Sequence, residues 1–266
     1  MPEFDILEDT MFVPMLGRIY TSINYPNILY DKKALELKNK LPKNIKGQRT
    51  QTEYTLLAGA VRSMNMDRYI QDFIKRNKDG IIVNIGAGLE TTYYRNDNGY
   101  NRWFEVDLQN VIKYRLELLG ETNLDKYIIA DAFNHEWIDK IRKIDDKVPI
   151  LVIASGLFFY FPKEKVLNLL RMLSNYGNIE VVFDVFNKLG ISCAKRYMKQ
   201  VGHEKALMYF YVNNINELAK EVNAKDIEEE RYYKFVDKNK LKFSTKITMI
   251  IADLFNMIKM IHLKLN

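Results

Sequence analysis

Cysteine is almost missing from this chain. Cys193 stands alone among 266 residues, so no disulfide can form within one chain. That excludes a bridge-stapled secreted scaffold and fits a reducing compartment. Histidine is nearly as scarce, and His135, His203 and His262 are scattered without ligand spacing, which argues against a structural zinc site and any other metal centre. The longest apolar run, Val148 to Phe161, is too short to span a bilayer and carries Ser155 and Gly156 in its middle. The first residues, Met1-Pro-Glu-Phe-Asp-Ile-Leu-Glu-Asp, are acidic and lack the basic head of a signal peptide. A soluble, cytoplasmic protein is expected. Pro and Gly are also sparse beside abundant Lys, Asn, Ile and Tyr. That bias reads as genome composition and carries no function.

A strong charge of one sign is absent too. Forty Lys plus Arg against thirty-four Asp plus Glu give +6, spread along the whole chain. A nucleic-acid binder concentrates its cations on one face, so a solvated basic surface is the better reading, although an RNA substrate stays open. What is present is apolar substance. Hydrophobic residues make up 47%, enough for one large α/β domain or a core with a cap.

No repeat or low-complexity linker divides the chain. Residues 1–78 read mostly helical, with apolar residues at helical spacing from Asp31 to Leu41 and from Tyr54 to Ile74. Asn77-Lys-Asp-Gly80 then breaks the pattern as a turn. Short apolar runs follow, alternating with helix-like segments. The expected strands are Ile81–Ile85, Arg102–Val106, Tyr127–Ala130, Val148–Ala154 and Ile179–Val185, with helices at Leu108–Leu119 and Pro162–Ser174. That alternation predicts a Rossmann-like, mostly parallel sheet with helices on both faces. Residues 187–222 look helical and read as a lid. Ile227–Phe235 and Met260–Leu265 are expected to close the sheet as antiparallel strands. The stretch Ile247–Leu265 is amphipathic and basic, and a packed helix and strand is preferred there over a membrane-surface helix. The expected organisation is one domain: a helical cap over 1–78, a core over 79–186, a lid over 187–224 and a sheet-closing segment over 225–266.

Asn84-Ile-Gly-Ala-Gly-Leu-Glu-Thr91 follows the first strand directly. The pair Gly86 and Gly88 permits a tight turn and close approach of backbone to a ligand. A dinucleotide loop carries a third glycine three residues on, against which pyrophosphate sits at a helix N-terminus. Here that position is Thr91, which weighs against a nicotinamide-dependent dehydrogenase. At the end of the second strand, Glu105 and Asp107 both qualify to accept hydrogen bonds from ribose hydroxyls, and Asp107 is favoured because the crevice should open at the strand end. Asp131, after the third strand, is placed to accept from an adenine amino group, although acids at such positions also cap helices.

Val83-Asn-Ile-Gly-Ala-Gly-Leu-Glu-Thr-Thr-Tyr-Tyr-Arg95 together with Trp103-Phe-Glu-Val-Asp-Leu108 resembles the signature of the leucine carboxyl methyltransferase family, which includes tetracenomycin-type polyketide O-methyltransferases. The likeness is clear over residues 80–110 and extends to Ile129-Ala-Asp131 and Leu151–Phe161. It implies S-adenosylmethionine as cofactor. Gly86, Ala87 and Gly88 would face its amino-acid end, Asp107 and Leu108 the ribose, and Asp131 and Ala132 the adenine. Arg62 matches an arginine that in this family meets the methionine carboxylate, and Arg18 matches an N-terminal basic residue loosely. One departure stands out. Where the family carries an acid after the fourth strand, this chain reads Ala154-Ser-Gly-Leu-Phe-Phe-Tyr160, so Ser155 offers the cofactor's amino group a hydrogen bond but no charge. Glu90 in place of an aspartate is a milder change.

Methyl transfer to a carboxylate needs no base, whereas a hydroxyl acceptor can need one. No residue pattern identifies a base. His203 is a candidate, although an exposed helix histidine is the commoner meaning; Tyr160, after the fourth strand near the expected acceptor pocket, is more often a wall than an acid; and Tyr209, Phe210 and Tyr211 either line an aromatic pocket or belong to the core. The resemblance favours a small polyketide-like molecule as acceptor. A protein C-terminal carboxylate, a modified tRNA base and a non-catalytic binding relative are the alternatives.

Overall fold

The computed structural model describes residues 8–42, 45, 51–200, 202 and 205–265. Three helices precede the sheet: α1 (Phe12–Asn24), α2 (Lys32–Leu37) and α3 (Glu53–Arg76). Asp31 caps α2 by accepting Ala34 N–H, and Thr52 and Thr55 form a reciprocal capping box at the start of α3. The alternating region then runs β1 (Ile81–Ile85), α4 (Thr92–Asn96), β2 (Arg102–Asp107), α5 (Gln109–Leu118), β3 (Asp125–Ile129), α6 (Glu136–Arg142), β4 (Ile150–Ala154), α7 (Lys163–Ser174) and β5 (Ile179–Phe186). It is followed by α8 (Lys188–Gln200), α9 (Ile215–Glu221), β6 (Asp226–Arg231), α10 (Phe243–Leu254) and β7 (Ile258–Lys264).

The strands form one seven-stranded sheet in the order β3-β2-β1-β4-β5-β7-β6. The first five pair in parallel, while β7 runs antiparallel to both β5 and β6. β1 and β4 are buried at every position, as strands covered on both faces must be. Alternate residues of β1 serve opposite cores. Ile81, Val83 and Ile85 pack toward Trp137 of α6 and the leucines of α7, whereas Ile82 packs with Leu57, Val61 and Phe73 of α3 and Met249 of α10. Strand order reverses between β1 and β4, and ligands of open α/β sheets bind in the crevice at such a point.

The expected elements occur with small shifts at their ends. The C-terminal stretch is a helix followed by a strand, and among the described residues no helix is long and apolar enough to cross a membrane. The segment after β5 differs from a continuous helical lid. Residues 207–212 run without regular structure between α8 and α9, hydrogen-bonded from Tyr209 N to Phe159 O and from Val212 N to Phe186 O. Alternating burial of Met208, Phe210 and Val212 draws this stretch extended along the core and explains why it is not helix.

Candidate functional site

The loop after β1 is held from two sides. From above, Gly86 N and Ala87 N donate to Val106 O at 2.9 and 3.3 Å. From below, the fully buried Arg115 of α5 donates through Nη1 to the carbonyls of Gly88 and Glu90, each at 2.9 Å. Gly86 has φ +64° and Gly88 φ +50°, and a Cβ on Gly86 would lie 2.7 Å from Leu157 Cδ1. The left-handed conformation favours glycine at that position, and any larger residue would also have to displace the Leu157 side chain.

Asp107 closes the loop at the tip of β2. Its Oδ2 accepts Gly88 N–H at 2.7 Å and its Oδ1 accepts Leu108 N–H at 2.7 Å. The residue lines the main cavity. Glu105, the other acid of this strand, lies wholly buried beneath. It accepts from Asn84 Nδ2 at 2.8 Å and pairs with Arg115 at 3.4 Å. Burial pushes its carboxyl up despite Arg115. Position along the pleat therefore separates the two acids: one meets the cavity, and the other locks the loop's arginine.

A buried ionic network ties the helical N-terminal region to this loop. Arg18 of α1 pairs with Glu90 and, at 3.2 Å, with Asp31, and donates to Leu89 O at 2.6 Å. Arg95 of α4 makes a two-pronged contact with Asp67 of α3, at 2.7 and 3.0 Å, and reaches Asp31 at 2.7 Å. Burial pushes Asp31 and Glu90 up, but the two guanidinium groups outweigh it and hold both carboxyls below their ordinary range. Glu90 and Arg95, read in sequence as parts of a cofactor motif, thus fasten α1, α2 and α3 over the glycine loop.

Across the crevice, Ser155 and Gly156 follow β4 and both line the cavity. Arg62 of α3 lines it too, with its Nε donating to Asp184 Oδ2 of β5 at 2.9 Å. Asp184 also accepts Gly156 N–H at 2.7 Å and is fully buried. Burial lowers the Arg62 guanidinium pKa, yet Asp184 more than restores it, so the group is firmly charged. At the β3 end, Asp131 accepts Phe133 N–H at 2.9 Å and lies 3.6 Å from Lys165 Nζ. That ammonium sits 4.5 and 4.9 Å from the ring centroids of Phe133 and Phe161. Ala132 is buried beside it.

All nine residues expected from sequence, Arg62, Gly86, Ala87, Gly88, Asp107, Leu108, Asp131, Ala132 and Ser155, line one cavity of about 800 Å³. Beyond Arg62 it widens into an aromatic and thioether-rich chamber walled by Tyr54, Tyr160, Tyr197, Met198, Tyr232 and Met257. Burial pushes the Tyr160 hydroxyl up, although Arg62 opposes this, so at neutral pH it is a phenol and not a base. The aromatic stretch 209–211 lies apart from this cavity: Phe210 is in the core and Tyr209 and Tyr211 are largely exposed. His203 lies outside the described residues.

Sequence reading missed Asp184, Arg115 and Lys165. Asp184 had a signal, because a carboxylate inside Ile179-Glu-Val-Val-Phe-Asp-Val-Phe186 must be paired to be buried at such a position. Arg115 had one as well, sitting on the apolar side of its helix. Lys165 had none.

Residues 7–174 match the model of a family described as leucine carboxyl methyltransferase. The chain is 24% identical over 180 residues to the tetracenomycin polyketide synthesis O-methyltransferase TcmP of Streptomyces glaucescens, covering 67% of this chain and 65% of that protein. It is 28% identical over 137 residues to the S-adenosyl-L-methionine-dependent methyltransferase dpfgK of Gibberella zeae, covering 47% and 46%. The matched stretch therefore spans less than two thirds of the length of either relative. Among solved structures, a DUF574 family protein of Streptomyces avermitilis superposes with a TM-score of 0.62 at 14% identity, over 97% of this chain and all of that one, which shows a shared fold.

Proposed function

The chain belongs to the leucine carboxyl methyltransferase family, and from that premise we propose that it is an S-adenosylmethionine-dependent O-methyltransferase acting on a hydroxyl or carboxyl of a small, polyketide-like molecule. The observation that carries this reading is Asp107. It stands at the tip of β2, the strand next to β1 at the switch point, braced by the amide of Gly88 and lining the cavity. A ribose diol is the chemistry such a carboxylate accepts from.

The residues present fit the cofactor. Gly86 to Gly88 bring backbone without bulky side chains to the cavity at one end, Asp107 a carboxylate in the middle, and Asp131 with Ala132 a polar and an apolar edge beyond. Arg62, fixed in charge and direction by Asp184, would receive the amino acid's carboxylate. When bound, S-adenosylmethionine supplies a methyl group on a sulfonium that is already electrophilic. The protein's own part is then alignment and exclusion of water. The aromatic chamber supports both: Tyr54, Tyr197 and Tyr232 wall it together with the thioethers of Met198 and Met257, which suits a flat, weakly polar acceptor. That aromatic, largely apolar lining supports a small molecule over a protein C-terminus or a tRNA base. A single cysteine, which can form no disulfide within the chain, supports a cytoplasmic setting for this activity. Ser155 favours one other reading, a relative that holds the cofactor without turnover.

Calorimetric titration with S-adenosylmethionine and S-adenosylhomocysteine, on the wild type and Asp107→Ala, tests the cofactor. Saturable binding lost in the variant supports it. No binding by a folded wild type overturns it. Transfer of labelled methyl to a panel of phenolic and carboxylic acceptors then separates the enzyme from the silent binder.

A further inference from the structure

α10 is apolar on two opposite sides. Thr245, Met249 and Ala252 are buried where the helix packs on α3 and β7. On the far side Phe243, Ile247, Ile250 and Leu254 face outward, with Phe243 78% and Leu254 68% exposed, and Ile251 and Phe255 extend the patch along one flank. A helix apolar all round is ordinarily a buried one. The outward residues recur at steps of four, three and four, which is the seam spacing of two helices packed side by side.

We propose that this face is the contact between two copies of the chain, joined about a two-fold axis with the two α10 helices antiparallel. Two observations select a second copy over a lipid surface. The charges flanking the patch are of both signs: Lys246, which donates to Asn239 O, and Asp253, which accepts Tyr233 N–H, border the same edge, one near each end. Antiparallel pairing sets each Lys246 toward the other copy's Asp253, and a two-fold axis makes that contact twice. The exposed area also suits a dimer. The six side chains present on the order of 600 Å², most of the roughly 800 Å² per subunit of a standard interface and at the upper limit of what a monomer normally leaves bare. The contact adjoins the chamber without entering it. Met257, which follows α10, lines the cavity, and its carbonyl lies where a Cβ on Gly190 of α8 would collide.

Sedimentation velocity of the full chain from about 1 to 100 µM tests this. The expected result is a dimer that becomes a monomer in Ile250→Lys/Leu254→Lys while the far-ultraviolet circular dichroism spectrum stays unchanged. Lys246→Glu, a surface change that leaves the apolar seam intact, should weaken association at least threefold, and less so at high salt. A monomer at every concentration overturns the proposal, as does a dimer indifferent to both variants. Co-sedimentation of a monomeric wild type with phosphatidylglycerol vesicles would assign the face to lipid and overturn it equally.

Discussion

Arg62 and Asp184 form an ion pair, Nε to Oδ2 at 2.9 Å, that joins α3 to β5 across the mouth of the crevice. The acid is fully buried and its other oxygen holds Gly156 N–H. One carboxylate thus sets both the direction of the cavity's arginine and the turn after β4. Gly156 itself has φ +70°, and a Cβ there would come within 2.5 Å of Arg62 Nη1. Arginine, aspartate and glycine are mutually fitted.

Asp184→Asn should therefore act on one part of the cofactor. Removing the charge leaves Arg62 without its partner and destabilises the fold by about 2–4 kcal/mol, read from urea denaturation. In titrations, S-adenosylhomocysteine should bind about tenfold more weakly, while methylthioadenosine, which lacks the amino-acid end, should change less than threefold. Equal losses for both ligands would mean that Asp184 supports the whole site and not Arg62.

Arg95 carries the ionic network over the loop. It contacts Asp67 and Asp31 directly and lies 3.7 Å from Glu90. Arg95→Met leaves Asp31 and Glu90 to Arg18 and Asp67 to the Asn96 amide, and the expected cost is about 3–5 kcal/mol. Arg95→Lys, which keeps the charge but loses the two-pronged geometry, should cost less. The acid limb of the wild-type stability curve should reflect the same network. Asp31 and Glu90 have depressed folded pKa values, so their contribution is complete above the ordinary carboxyl range near pH 4 and vanishes as pH falls through the lower folded values. Denaturation midpoints between pH 2 and 6 check both statements.

Much of this was legible in the sequence, for physical reasons. Parallel strands buried on both faces need uninterrupted apolar runs, so β1, β4 and β5 announced themselves. Loop chemistry at strand ends needs glycines and acids at fixed places, so Gly86, Gly88, Asp107 and Asp131 were readable. What one chain segment cannot show is its partner in space. Glu90 and Arg95 stood in the signature with no visible partners, and the structure pairs Glu90 with Arg18, and Arg95 with Asp31 and Asp67, residues 28 or more positions away. The stretch 207–212 misled for a related reason. Its alternation of buried and exposed residues has the period of an extended chain, but flanking helices on both sides obscured it.

Asp125 opens β3 in full burial, and neither of its carboxylate oxygens accepts a hydrogen bond among the described residues. Burial, aided by the nearby Glu105 carboxylate, pushes it up to about 8. A raised acid works opposite to Asp31. Between roughly pH 4 and 8 the folded protein holds a proton that the unfolded chain releases, so stability falls as pH rises through that window. Asp125→Asn should flatten this slope, leaving stability near pH 4 almost unchanged and raising it by a few kcal/mol, about, at pH 8. Glu105 is shifted the same way and keeps part of the slope. Thermal melts of both proteins at pH 5, 6.5 and 8 decide it, and parallel curves would show that Asp125 is ionised in the fold.

Ser155 is the departure with the clearest consequence. It stands at the tip of β4, on the cavity, beside the Gly156 amide that Asp184 already occupies. The nearest buried acid is thus committed to Arg62 and a backbone N–H. On the proposed reading, the cofactor's ammonium meets a hydroxyl where relatives offer a carboxylate, and a charged acceptor is worth about 1–2 kcal/mol more than a neutral one. Ser155→Glu should then tighten S-adenosylmethionine about tenfold and leave methylthioadenosine unaffected, with a smaller gain at high salt. A glutamate that weakens both ligands would mean that this chain has rebuilt the subsite around Asp184 and has no room for a second acid.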